Sequence, residues 1–381
     1  MKSNFRFSVF IFALLAFTSS TFALSWEDSV FKDVVRSNTT IYESEAINSL
    51  HERSIVEGYE NDNYKPQNPI SRAEFLKITM EATDMSLGGS NCFNDVSDEW
   101  FAPYVCAAAA ANIIDGYADG SFKPDQKVNF AEASKMIANA FELSTRSGAG
   151  ENWFTKYVVA LEENGAIPDS ITSFNKEVSR GEMAFAVYAL LLKKENPYFY
   201  WDSWGNVSTE KHDQLTFADI QALQNSNLNL EYVYGLEPTN FYTDGNKIYK
   251  VFYAKVYEIK GANLDSFRYW DESSGSHYIF RGNDKAIFIN TWDEMEYFSL
   301  DLDFDTLEIL GYNNDDRWTI LRDKKGLYAT SVQLSKLHDI TGQVEDVEGF
   351  EFVECEKGIC GKDANHSYFS PYPHISLAIE E

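Results

Sequence analysis

One short step occurs three times in the first half of the chain: Ser71-Arg72-Ala73-Glu74, Asn129-Phe130-Ala131-Glu132 and Ser179-Arg180-Gly181-Glu182. A Ser or Asn three residues before a Glu is the reciprocal form of a capping box. Each step therefore predicts a helix start, with the Glu side chain turned back onto the cap. Arg72 and Arg180 are not needed for capping. A cation is mildly unfavourable in the first turn of a helix, where the dipole end is positive. Free N–H groups and a guanidinium at that place make an anion site, and that is the chemistry these two residues offer. The competing reading is a solvated first-turn Arg and a plain capping Glu. It is weighted more heavily for Glu74 and Glu182 than for the arginines. Unit two carries Phe130 at the Arg position, so its groove is expected to be blind or structural.

The elements that position these steps are themselves repeated. Phe31-Lys32-Asp33-Val34 recurs as Phe93-Asn94-Asp95-Val96. The loop Gly58-Tyr59-Glu60-Asn61-Asp62-Asn63-Tyr64-Lys65-Pro66 recurs, 58 residues later, as Gly116 to Pro124. Trp100-Phe101 recurs as Trp153-Phe154, and a third, shorter unit has Ile167-Pro168-Asp169 in place of the Gly-Tyr loop. Each unit reads as helix, loop, helix. The first helices are expected near 44–54, 102–111 and 153–164, with apolar residues at helical spacing. The second helices follow the capping steps. Asp33 and Asp95 are expected to hold loop amides. Units this small cannot bury a face alone, so the three should pack into one domain.

The stretch from Phe31 to Leu192 resembles three S-layer homology repeats, at about 31–82, 93–143 and 151–192. The Phe-x-Asp-Val opening, the Gly-Tyr loop and the Arg-x-Glu helix start carry the resemblance. It implies a pseudo-threefold all-α domain that binds cell-wall polysaccharide, anionic and in some cases pyruvylated, on the bacterial surface. Carried over residue by residue, the glycan-binding candidates are Arg72, Arg180, Glu74, Glu182, Gly58, Gly116 and Trp100. The implied location is the cell surface or S-layer.

The start of the chain fits export. Lys2 and Arg6 precede an apolar run from Phe7 to Phe17, and Thr21-Phe22-Ala23 fits a signal-peptidase site, so residues 1–23 are expected to be a signal peptide. An uncleaved N-terminal anchor is the alternative. Four cysteines follow, Cys92, Cys106, Cys355 and Cys360. In an exported protein they permit two disulfides, with sequence neighbours suggesting Cys92–Cys106 and Cys355–Cys360; other pairings and free thiols stay open. A net charge of −27 excludes a surface built to grip nucleic acid or anionic lipid.

After Leu192 a junction (194–229) carries Tyr198, Phe199, Tyr200, Trp201 and Trp204, an aromatic patch read as inter-domain packing ahead of sugar stacking. A short helix is expected at 216–225. From residue 230 to 381 the pattern is β. Asp244, Asp284, Asp323 and Asp363 stand 40, 39 and 40 residues apart, each before an Ile/Leu/Tyr run. An Asp turn entering a strand fits each position. This region resembles the DKNYY repeat family, which carries over no activity and implies a repetitive β domain and little more. The fold class is thus α+β and multidomain, all-α first and mainly β second.

Catalytic constellations are lacking in the sequence. The six histidines form no metal-binding spacing, and there is no nucleophile turn or phosphate loop. Asp301-Leu302-Asp303-Phe304-Asp305 lacks the later residues of a calcium loop and reads as a half-buried strand. No cofactor or metal is expected. The rival readings are an anchored hydrolase with a carboxylate pair in the second half, and an assembly module without glycan affinity.

Overall fold

The computed structural model describes residues 29–146, 152–195, 200–201, 207–208, 215–234, 241–252, 254–259, 277–281, 286–290, 296–300, 302–303, 306–313, 318–331, 337–353, 359–370 and 378–379. The expected signal segment, Cys355, and Tyr198, Phe199 and Trp204 of the junction lie outside them. The molecule is mixed α+β. Among the described residues no helix is long and apolar enough to cross a membrane.

Six helices build the first half: α1 (Ile41–Glu52), α2 (Arg72–Ala82), α3 (Ala102–Ala110), α4 (Phe130–Ala140), α5 (Thr155–Glu163) and α6 (Arg180–Glu195). The first begins three residues earlier than periodicity suggested. Thr40 and Glu43 form a capping box there that the apolar pattern did not reveal. Ser71 and Glu74 cap α2 reciprocally, as do Ser179 and Glu182 at α6. At α4 the expected box is half made. Asn129 accepts from the Glu132 amide, but the Glu132 carboxylate has turned to other partners.

A closed ring of backbone hydrogen bonds joins the three helix pairs. The Ile70 amide donates to the Val178 carbonyl, Val178 to Val128, and Val128 to Ile70. One step on, a second set of bonds runs round the three units in the opposite sense. Arg72 and Ala73 donate to Gln126 and Pro124, Phe130 and Ala131 to Lys176 and Phe174, and Arg180 and Gly181 to Asn68 and Pro66. Thus the first turn of each second helix is satisfied by the loop of another unit, which disposes of otherwise orphan N–H groups. Asp33 accepts from the Tyr64 and Lys65 amides, both at 2.7 Å, and Asp95 from Phe122 and Lys123 at 2.7 and 2.8 Å. They hold the loops, as expected.

The second half opens with β1 (Tyr200–Trp201) paired to β2 (Val207–Ser208), then α7 (Phe217–Asn225), capped by Thr216 and Asp219. Antiparallel meanders follow. They are β3 (Glu231–Tyr232), β4 (Phe241–Thr243), β5 (Ile248–Phe252) and β6 (Lys255–Glu258); β7 (His277–Arg281), β8 (Ala286–Asn290) and β9 (Glu296–Leu300); β10 (Glu308–Asn313), β11 (Trp318–Asp323), β12 (Gly326–Ser331) and β13 (Leu337–Asp339); and β14 (Glu351–Val353), β15 (Ile359–Lys362), β16 (Ser367–Ser370) and β17 (Ala378–Ile379). Asp244 and Asp363 sit in the turns β4–β5 and β15–β16 and Asp323 ends β11 at the β11–β12 turn, where each accepts two amides of its turn, while Asp284 lies outside the described residues. Of the expected strand at 301–305, Asp301, Phe304 and Asp305 lie outside the described residues, and Leu302 and Asp303 are in no strand. The Asp303 amide donates to the Asp323 carboxylate at 2.6 Å, a bond that ties this segment to the end of β11.

One apolar core runs through all six helices and on into Leu215, Ile220, Leu223, Leu230, Tyr232, Tyr242, Tyr249 and Val251. A second core gathers Ile320, Leu327, Ala329, Ile340, Val344, Phe350 and Tyr368.

Candidate functional site

Two grooves of matching construction lie on the helical half. The first, about 240 Å³, is lined by Gly58, Tyr59, Glu74, Lys77, Trp100 and Arg180, with Ile55 to Glu57 and Ile78 completing it. The second, about 320 Å³, is lined by Gly116, Tyr117, Glu132, Lys135, Trp153 and Arg72, with Ile113 to Asp115 and Met136. Each groove draws on three units. One unit supplies the Gly-Tyr loop, the Glu and the Lys. The next supplies the Trp, and the remaining one supplies the Arg.

The hydrogen-bonded ring explains this sharing. Because the start of α2 is bonded to the loop of unit two, Arg72 is delivered into the groove of unit two. Arg180 likewise enters the groove of unit one. The expectation of a blind groove in unit two is therefore corrected. Phe130 faces the third unit, to whose Lys176 and Phe174 carbonyls its helix start is bonded, and the unit-two groove has its arginine.

Both arginines form the groove floors. Arg72 is 5% exposed and Arg180 6%. Arg72 donates from Nε to the Phe122 carbonyl at 2.9 Å and lies between the Tyr117 and Phe122 rings, 5.0 and 4.8 Å from their centroids. Arg180 donates to the Tyr64 and Glu57 carbonyls at 3.0 and 3.1 Å, between the Tyr59 and Tyr64 rings at 4.8 and 4.5 Å. A planar guanidinium suits such a stacked slot, and an ammonium does not. The glycines clear the way: a Cβ at Gly58 or Gly116 would sit 2.4 Å from the ring of Phe31 or Phe93.

The grooves differ in charge pairing. In the second, Arg72 lies 3.5 Å from Glu132, and Lys135 pairs with Asp115. Glu132 also accepts from the Tyr117 hydroxyl at 3.0 Å. In the first, Arg180 bonds to backbone carbonyls, and Lys77 pairs along its own helix with Glu81 at 2.9 Å. Burial pushes the Glu74 carboxyl up. The Ser71 amide and hydroxyl, with Arg180 and Lys127 nearby, outweigh it and hold Glu74 below its ordinary value. Trp100 and Trp153 stand at the rims, 57% and 56% exposed. They offer apolar faces beside cationic floors, an arrangement suited to a ring-shaped ligand carrying negative charge.

The structure thus brings Arg180, Glu74, Gly58 and Trp100 together, and separately Arg72 and Gly116. Glu182 goes elsewhere: it is fully buried, accepting from Ser170 at 2.6 Å and pairing with Lys176. Sequence reasoning missed Tyr59, Tyr117, Lys77, Lys135 and Trp153 as groove residues. Their constant spacing from the capping Glu and from Trp-Phe was the available signal. Among the described residues no cluster of His, Cys, Asp and Glu could hold a metal ion. Cys92 and Cys106 form a disulfide, and Cys360 is disulfide-bonded as well.

Residues 30–76 and 93–134 match the S-layer homology domain. The chain is 31% identical over 177 residues to the middle cell wall protein of Brevibacillus brevis, covering 44% of this chain and 16% of that one. It is 30% identical over 138 residues to the surface-layer 125 kDa protein of Lysinibacillus sphaericus, covering 34% and 12%. It is 28% identical over 172 residues to exoglucanase XynX of Acetivibrio thermocellus, covering 40% and 16%. The chain therefore spans less than a fifth of the length of these relatives. The S-layer homology segments and the surface-layer relatives indicate a secreted, cell-surface or cell-wall protein.

Proposed function

We propose that residues 29–195 are three S-layer homology repeats that attach the protein to the cell envelope. The two grooves at Arg180 and Arg72 take an anionic wall polysaccharide, a pyruvylated one included. Arg72, Arg180, Glu74, Gly58, Gly116 and Trp100, with Trp153, Lys77 and Lys135, form the binding surface. Residues 230–381 are repeats of about 40 residues, similar to the DKNYY family, that the anchor displays. The observation that carries this reading is the duplication: two grooves with the same Gly-Tyr, Glu, Lys, Trp and Arg set, each assembled from three units. A purely structural role would not require exposed tryptophans at matching rims. The relatives support attachment over catalysis, since an exoglucanase and two wall or surface-layer proteins resemble this chain over a similar short stretch.

The test is co-sedimentation of the full chain with purified bacterial cell-wall polymer. The tryptophans are better probes than the buried arginines, whose loss would disturb folding. Trp100→Ala with Trp153→Ala should weaken binding about a hundredfold, about 2.7 kcal/mol, with an unchanged circular dichroism spectrum. Undiminished binding by the folded double variant would remove the grooves as the site. Hydrolysis of wall or plant polysaccharide by the full chain would instead favour an enzyme.

A further inference from the structure

A third groove should exist by the symmetry of the hydrogen-bonded ring, and its place can be located. The amides of Ile55, Ile113 and Ala166 donate back to Leu50, Ala108 and Leu161 in the same way, which aligns the three loops. Asp169 then falls at the position of Gly58 and Gly116, and Ser170 at that of Tyr59 and Tyr117. From the capping Glu182, Phe185 falls at the position of Lys77 and Lys135. Phe130 replaces the arginine, and Thr39, just before the cap of α1, replaces the tryptophan. Every group that makes the other two grooves cationic or aromatic at the rim is gone.

The chain's own second half sits in that place. Tyr242 on β4 is fully buried and donates from its hydroxyl to the Asp169 carbonyl at 3.0 Å. Gln67 donates to the Tyr234 hydroxyl at 2.9 Å. Burial, then the Glu43 and Glu182 carboxylates, push the Tyr234 hydroxyl far above its ordinary value, and Gln67 and Ser170 bond to it. Helix α7 seals the side: the Phe174 amide donates to Gln224 at 3.1 Å, the Phe217 amide to Glu162 at 2.9 Å, and the Phe174 and Phe217 rings lie 5.0 Å apart. The polar groups that remain here are Asp169, Glu43 and Ser170, with Glu182 already paired to Lys176, and no arginine is left to receive an anion. They suit hydroxyl donors, which tyrosines are.

We propose that the third groove is an intramolecular dock whose occupant is the β3–β4 edge of this chain, with Tyr234 and Tyr242 as its anchors. The first meander and α7 are thereby fixed to the anchoring helices as one body. The first meander is carried at a set angle from the anchor instead of swinging on a linker. This holds whatever ligand the two open grooves take, so a negative co-sedimentation result leaves it standing.

Hydrogen exchange on the full chain tests it. In the native protein the amides of 166–171 and of β4–β5 should be protected together. Tyr242→Ala should raise exchange tenfold or more in both segments, leaving 55–59 and 113–117 unchanged. A rise confined to β4–β5, with 166–171 unaffected, would overturn the dock. Should Tyr242→Ala fail to fold, Tyr242→Phe carries the test, because it removes the hydroxyl bonded to Asp169 and keeps the ring. A smaller rise in the same two segments supports the proposal, and no change in either refutes it.

Discussion

Asp363 shows how much one turn residue does in the β half. Its Oδ1 accepts from the Asn365 and His366 amides, both at 2.8 Å, and its Oδ2 from the Tyr368 hydroxyl at 2.6 Å. Asp244 repeats the arrangement with Asn246, Lys247 and Tyr249. The Tyr368 hydroxyl bond above all, with the backbone amides, holds the Asp363 carboxyl down at about 2, from an ordinary 3.8. A carboxyl depressed on folding contributes stability that is complete above its unfolded value and is lost as pH falls through its folded value. The window here is pH 3.8 down to about 2. Acid titration of the full chain, followed by the near-ultraviolet signal, should show the second half loosening across that window. Asp363→Asn should flatten this part of the profile and lower stability at neutral pH. An unaltered profile in the variant would assign the acid response to other carboxylates.

At the scale of elements, the disulfide acts on the first groove. Cys92 and Cys106 are 14 residues apart, and the loop they close contains Trp100 and runs into α3. Closing a loop of about this length removes unfolded-state entropy worth about 3 kcal/mol. Replacing both cysteines by alanine should lower stability by about that amount in denaturant titration. It should also weaken ligand binding at the first groove more than at the second, whose Trp153 lies outside the closed loop. Equal weakening of both grooves would mean that the disulfide serves global stability alone. The element scale also explains what was readable in the sequence. Capping boxes, the Asp33 and Asp95 loop clasps and the Asp turns are local, so residue type and spacing announce them. The ring of hydrogen bonds is not local. It moves Arg72 into the groove of unit two and Phe130 toward unit three, and no spacing within a unit carries that information. Glu74, Glu132 and Glu182 were ambiguous for the same reason: whether a helix-start Glu caps, faces a groove or is buried depends on which unit lies against it.

Taken whole, the molecule sets its local and global electrostatics against each other. The chain carries a net charge of −27, while each open groove presents an arginine floor and a lysine. An anionic polymer approaching from bulk solvent meets a repulsive field before it meets the groove. Screening shortens that field from about 30 Å at 10 mM salt to about 8 Å at physiological ionic strength, and groove contacts made at hydrogen-bond distance are screened far less. The association rate of the full chain with an anionic wall polymer should therefore rise as salt is raised from 10 to 150 mM, by threefold or more. A basic protein steered onto an anionic partner behaves in the opposite way. Surface plasmon resonance on immobilised polymer would measure it. A rate that falls with added salt would mean that the groove cations govern the encounter as well as the bound state. The large negative charge would then act on solubility and spacing at the cell surface and have no part in recognition.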